Sequence, residues 1–175
     1  MRAMLISKHM NEAINRQICY EFSAMLQYVA IASHFVSEGL HELAAHFYRQ
    51  AEEERDHAMR FIKYILDAGG HVEIKDVPAP QNTFASAEQA VKLSLDQEKK
   101  VTEQINQLVE LAIKESDHIT QNALSWFVNE QLEEVSSMES LLKVVQRAGP
   151  ANLLYVEDFV SRHKAKSTVP ITGAS

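Results

Sequence analysis

Hydrophobic residues recur along most of the chain in alternating steps of three and four, the spacing that lays one apolar stripe along an α-helix. Four such stripes are read. The first is Ile14, Ile18, Glu21, Met25, Tyr28, Ala32, Phe35, and the second Leu43, Phe47, Gln50, Glu54, His57, Phe61, Tyr64, Ala68. The third is Val91, Ser94, Glu98, Val101, Ile105, Leu108, Ala112, and the fourth Leu124, Phe127, Gln131, Glu134, Met138, Leu141, Val145. The runs that carry them are rich in Ala, Leu, Glu, Gln, Lys and Met, all strong helix formers. Strand signals are nearly absent, so the chain reads as all-α.

Punctuation falls between the stripes. The first helix is predicted over about 7–37, before Gly39, and the second over about 40–68, stopped by "AGG" at 68–70. The stretch "HVEIKDVPAPQNTFAS" has two prolines and no helical period; at about 15 residues it is too long for a tight turn and suits a crossover spanning a helix length. A third helix starts after Ser86, with Gln89 as its capping-box partner, and runs to about 114. "ESDH" (115–118) is a short turn with Ser116 or Asp117 as the next cap, which makes helices three and four antiparallel neighbours. The fourth ends at "AGP" (148–150), and a short fifth covers about 152–163. One domain is expected over 1–164, with residues 165–175 a disordered tail and no internal repeat.

Composition removes several classes of function. A formal net charge of −7 and the lack of any basic cluster argue against nucleic acid as a partner. The single cysteine, Cys19, allows neither an intrachain disulfide nor a cysteine-based zinc site. No signal-peptide core and no run near the ~18 apolar residues of a membrane span occur, so a cytoplasmic location without membrane association is expected.

The informative residues are the polar ones inside the stripes. Each long helix places one glutamate on its inward face near mid-length: Glu21, Glu54, Glu98 and Glu134. His57 follows Glu54 by a step of three, which puts both on one face, and Gln131 precedes Glu134. Glu52, Arg55 and Asp56 fall outside the stripe. Four buried carboxylates need compensation, because desolvating an unpaired charge costs many kcal/mol, yet no stripe holds Lys or Arg. Two divalent cations would balance four glutamates, with His57 as a neutral donor. Carboxylate and imidazole without thiolate suit iron or manganese rather than structural zinc, and helix bundles hold di-metal sites in this way. Tyr28, if buried, needs a partner, and a ligand carboxylate would serve. Two other Glu-x-x-His pairs are weaker: Glu115 with His118 lies in a turn, and Glu38 with His41 is broken by Gly39.

With "YEFSAMLQY" (20–28), "QAEEERDHAM" (50–59), Glu98 in "DQEKKVT" and "LSWFVNEQLEE" (124–134), the chain resembles a bacterial-type non-haem ferritin through its fifth helix. The resemblance implies a ferritin-like four-helix bundle with one long crossover between helices two and three and a short C-terminal helix. It also implies that Glu21, Glu54 and His57 hold one ferroxidase iron, while Glu54 bridges to a second held by Glu98 and Glu134. Tyr28 and Gln131 correspond to residues that act beside that pair, and Glu53, Glu130 and Glu133 to the carboxylates of a third iron position.

Departures narrow the reading. Bacterioferritins carry a second Glu-x-x-His on helix four, where this chain has Gln131 and Glu134, and a haem methionine where this chain has Arg55; no haem is expected. Gln121 and Leu124 stand at positions where animal ferritins line their three-fold channels with carboxylates. The implied activity is oxidation of Fe(II) by O2 or H2O2 and storage of Fe(III) as an oxyhydroxide mineral, inside a hollow shell of 24 identical subunits. The alternatives are a storage subunit without rapid oxidation and a di-iron oxidase acting on an organic substrate.

Overall fold

The structure, a computed structural model, describes residues 4–163. The tail predicted over 165–175 therefore lies outside the described residues. Four long helices dominate: α1 (Lys8–Ser37), α2 (His41–Asp67), α3 (Ala87–Lys114) and α4 (His118–Ala148). A 3₁₀ turn (Pro150–Asn152) leads into α5 (Leu153–Arg162), and no strand occurs among the described residues.

The helix starts follow from local chemistry. Ser7 accepts from the Met10 amide at 2.9 Å and Ser86 from the Gln89 amide at 3.1 Å, each satisfying an orphan first-turn donor. The Gln89 side chain reaches back to the amide of Ala85 at 2.6 Å, one residue before the position a capping box prescribes. Of the two candidates for the cap of α4, the structure selects Asp117, which accepts from the Thr120 amide at 2.9 Å. Ser116 instead takes the left-handed conformation (φ 54°) that ends α3. Gly39, at φ 75°, makes the corresponding reversal between α1 and α2.

The crossover between α2 and α3 runs alongside α1 and is tied to it by side-chain amides. Asn11 exchanges hydrogen bonds with the backbone of His71 (3.1 and 3.0 Å), and Asn15 donates to the His71 carbonyl (2.8 Å) and accepts from the Glu73 amide (2.8 Å). Further along, Gln27 pairs both ways with the backbone of Gln81 at 2.9 Å. Irregular backbone must find partners somewhere, and here α1 supplies them from one face. The path returns the chain to the opposite end of the bundle, where Phe84 packs on His34 (ring centroids 5.2 Å apart). Consequently α3 is antiparallel to α1 and parallel to α2.

Two apolar clusters fill the bundle. One contains Tyr28, Phe35, Leu43, Phe47, Val91, Met138 and Val145, with Val156 and Val160 of α5 packed on it. The other contains Met10, Ile14, Ile18, Phe61, Ile65, Ile105, Leu124 and Phe127. Between them lies a polar layer. The inward stripes of α3 and α4 are buried at every predicted position, whereas Met25, Gln50 and Tyr64 are only half-buried. Beside them Ala24, Ala51 and Ile65 turn inward instead. A straight helix drifts relative to a strict 3.5-residue repeat, so a fixed register slips to the neighbouring residue.

No side chain of its own caps α2. Instead Glu157 of α5 accepts from the amides of Glu42 and Leu43, both at 2.8 Å. A carboxylate on two N-terminal amides also complements the helix dipole. Glu157→Ala is expected to destabilise the protein by about 1 kcal/mol and to raise amide exchange in α5 and the first turn of α2. Unchanged exchange in both segments would refute that coupling.

Candidate metal centre

Mid-length stripe positions on four helices meet in the polar layer. Glu21 of α1, Glu54 and His57 of α2, Glu98 of α3, and Gln131 and Glu134 of α4 are all at most 5% exposed, and Tyr28 is fully buried. Ligating atoms of Glu21, Glu54 and His57 lie within 4.8 Å of one another, as do those of His57, Glu130 and Glu134. His57 thus belongs to both groups. Within α2, its Nδ1 stands 3.4 Å from Oε2 of Glu54.

Hydrogen bonds decide which oxygens are available. Glu21 Oε1 accepts from Gln17 Nε2 at 2.9 Å, while its Oε2 is buried without a hydrogen-bond partner. Oε2 of Glu54 is likewise orphaned in that sense and faces the imidazole, and the Glu21 carboxylate lies against that of Glu54. Glu98 differs: Oε1 accepts from the Tyr28 hydroxyl and Oε2 from Gln131 Nε2 at 3.2 Å. Buried polar atoms in native folds are almost always paired. Orphaned carboxylate oxygens that converge beside an imidazole form a donor set that fits a cation.

Charge gives the same message. Burial, and then the Glu54 carboxylate, push Glu21 well above the usual carboxylate range. Burial and then Glu98 do the same to Glu54. Burial raises Glu98 to about 7 against the help of the Tyr28 hydroxyl, and burial together with Glu98 raises Glu134 to about 9. Desolvation dominates each case. No lysine or arginine stands among Glu21, Glu54, Glu98 and Glu134; Arg49 acts on Glu53 at the edge of the layer, and the α2 ion pairs of Arg55 with Glu52 and Asp56 lie at the exposed surface.

The remaining predicted residues are spread out. Glu130 is half-buried within reach of His57 and Glu134, so Glu134 is gathered with His57 and Glu130, and Glu98 lies near enough to raise its carboxyl. Glu53 is half-buried and accepts from the Gln50 amide group, with burial raising its carboxyl as well. Glu133 is exposed. Arg55, at the position corresponding to a haem methionine, is also exposed. Among the weaker pairs, Glu115 is the C-cap of α3 and meets His9 at 3.6 Å, while His118 is exposed.

The sequence reading did not single out Gln17, and it gave Trp126 no contact with the centre. Gln17 stands one turn before Glu21 on the same face, so its spacing could have exposed it. Trp126 sets its ring edge-to-face with His57 at 5.5 Å, under the Arg60 guanidinium at 3.9 Å. That stack fixes the imidazole plane from outside the stripe, and nothing in the spacing pointed to it.

Four helices converging carboxylates and one imidazole in an otherwise apolar core define a metal-binding bundle protein. Residues 11–148 match the ferritin-like domain family. Similar proteins include the ferritin BfrB of Mycolicibacterium smegmatis, 46% identical over 149 residues covering 85% of this chain and 82% of that protein. The bacterial non-heme ferritin of Staphylococcus aureus is 37% identical over 153 residues, 87% of this chain and 92% of that one. Among solved structures, an open pore ferritin from the hyperthermophilic archaeon Archaeoglobus fulgidus superimposes with a TM-score of 0.86 at 34% identity, over 89% of this chain and 98% of that chain. The chain belongs to the ferritin family. No helix among the described residues is long and apolar enough to cross a membrane.

Proposed function

We propose that this chain, a single ferritin-like domain over residues 1–164, is an iron-storage subunit that oxidises Fe(II) as it takes the metal up. The observation that carries the reading is the set of orphaned, uncompensated carboxylate oxygens of Glu21 and Glu54 beside His57, completed by Glu98, Glu130 and Glu134. Fe(II) is the substrate. Glu21, Glu54 and His57 offer free ligand atoms for one ion; Glu54, Glu98 and Glu134 surround the place for a second.

Each protein group has a task in that reaction. Bound cations displace the protons that burial holds on Glu98 and Glu134, so uptake of metal releases acid. Gln17 holds one oxygen of Glu21 and so aims the other, and Gln131 holds one oxygen of Glu98. Tyr28 keeps Glu98 oriented from the apolar side. Overall, two Fe(II) and two protons with O2 give two Fe(III) and H2O2; with H2O2 as oxidant they give two Fe(III) and two waters. Carboxylates suit both oxidation states. Glu53, Glu130 and Glu133 then form an acidic path from the centre toward the α2–α4 face, where Fe(III) leaves for mineral. Storage requires a closed shell, and relatives named ferritin support assembly of identical subunits, 24 in the reading adopted here; a cytoplasmic location fits the same function.

Aerobic addition of Fe(II) to metal-free protein tests the proposal. A fast rise of ferric absorbance, saturating near about two iron per chain, is expected, with iron co-eluting with protein afterwards. Oxidation no faster than in protein-free buffer would refute the ferroxidase activity, and iron passing through a sizing column unbound would refute storage.

A further inference from the structure

A groove of about 420 Å³ opens between α1 and α3 on the side of the bundle away from the α2–α4 carboxylates. Arg16, Lys100, Glu103 and Gln107 stand at its exposed rim, and Gln104 and Gln17 lie deeper. Gln17 is 2% exposed, and its amide donates to Oε1 of Glu21. One side chain therefore separates the groove from a carboxylate of the metal centre. Oε1 of Gln104 is buried in the same region and accepts no hydrogen bond from another described residue.

The two faces of the centre differ in charge. Toward α2 and α4 stand Glu53, Glu130 and Glu133 against the cation Arg49 beside Glu53, a net negative face that favours an approaching cation. Toward α1 and α3 the rim carries Arg16 and Lys100 against Glu103, with His9 and Tyr20 beside them. The deeper lining combines the Gln17 and Gln104 amides with Ala13, Leu108 and Leu111. A divalent cation gains nothing on that path; an uncharged molecule loses nothing.

We infer that the α1–α3 groove is the port through which small uncharged solutes, of the class of dioxygen, peroxide and water, reach the metal centre, with Gln17 as its inner gate and as the positioning residue for Glu21. The inference rests on the metal-centre reading above. Cations and oxidant then arrive from opposite faces, so iron loading does not obstruct the oxidant.

Nitric oxide, an uncharged diatomic that binds Fe(II), probes the port under anaerobic conditions, and Co(II) probes metal binding without redox chemistry. Gln104→Trp fills the groove without touching Glu21, and Gln107→Trp narrows its exposed rim with little risk to folding. In stopped-flow mixing of nitric oxide with Fe(II)-loaded protein, Gln104→Trp is expected to slow nitrosyl formation about tenfold, Gln107→Trp to slow it less, and Gln17→Ala to accelerate it. Co(II) loading rate and stoichiometry are expected to be unchanged in both tryptophan variants. For Gln17→Ala, the Co(II) ligand-field spectrum is expected to shift because Glu21 loses its anchor. Nitrosyl rates equal to wild type in tryptophan variants that load Co(II) normally would overturn the port. Co(II) loading slowed in parallel with nitrosyl formation would make the groove a cation route and overturn the assignment to uncharged solutes. Wild-type protein that fails to bind Co(II) would overturn the metal-centre reading first, and the port with it.

Discussion

Replacing Glu54 by alanine is expected to abolish the fast phase of Fe(II) oxidation. Glu54 is the residue whose free oxygen faces His57 and whose charge is felt by Glu21, Glu98 and Tyr28 alike. Loss of an outer partner of a metal ligand costs about 10–100-fold in affinity or activity, so loss of the central ligand should cost at least as much. The same substitution removes a buried carboxylate that nothing in the metal-free core compensates. Breaking a repulsive cluster is not like breaking a salt bridge; metal-free Glu54→Ala should melt no lower than the parent. Stopped-flow ferric absorbance and a thermal melt check both halves. A variant that is folded and oxidises iron within about twofold of wild type would remove Glu54 from the chemistry. A variant that is inactive because it is unfolded would show instead that the carboxylate is structural.

The second large effect is a dependence of stability on pH that metal reverses. Free carboxyls titrate near the ordinary value of 4.5, whereas burial holds Glu98 up at about 7 and Glu134 at about 9, with Glu21 and Glu54 also well raised. Between those values the folded protein keeps protons that the unfolded chain has released. Stability is then lost with rising pH, because folding takes up protons throughout the window. The contribution is complete below about 4.5 and falls away as pH rises through about 7 and then about 9. Each group still protonated in the fold contributes a slope of about 1.4 kcal/mol per pH unit. Urea denaturation of metal-free protein at pH 5, 7 and 9 is expected to give steadily lower midpoints. Saturating Co(II) should restore stability most at the alkaline end, where the carboxylates are already deprotonated, and should release protons at pH 7. Glu134→Gln should flatten the alkaline part of the profile. Metal-free stability that rises between pH 5 and 9 would contradict the burial of uncompensated carboxyls.

Much of this centre was readable because it breaks the rule that identifies a helix. Apolar residues at steps of three and four announce a buried face, and Glu21, Glu54, His57, Glu98, Gln131 and Glu134 interrupt that face without leaving it. Glu53 and Glu52 illustrate the limit. They are adjacent acids on one helix, yet one is half-buried near Glu130 and the other is fully outside. A shift of one residue is a turn of 100° around the helix axis, and only packing fixes which side of the boundary each takes.

By itself, the sequence determined the number of helices, most of their ends, the long crossover and the face on which the carboxylates lie. Those properties are local: they depend on caps, on glycine and proline, and on periodicity within a single segment. Tertiary structure decided what no single segment encodes. It drew Glu134 to His57 and Glu130, engaged both oxygens of Glu98 through Tyr28 and Gln131, and left Glu21 and Glu54 each with an oxygen free. It placed Trp126 against the imidazole, Glu157 on the start of α2, and Gln17 between a groove and the metal centre. Such contacts join residues far apart in the chain, and their geometry depends on how helices rotate and slide as the core packs to crystal-like density.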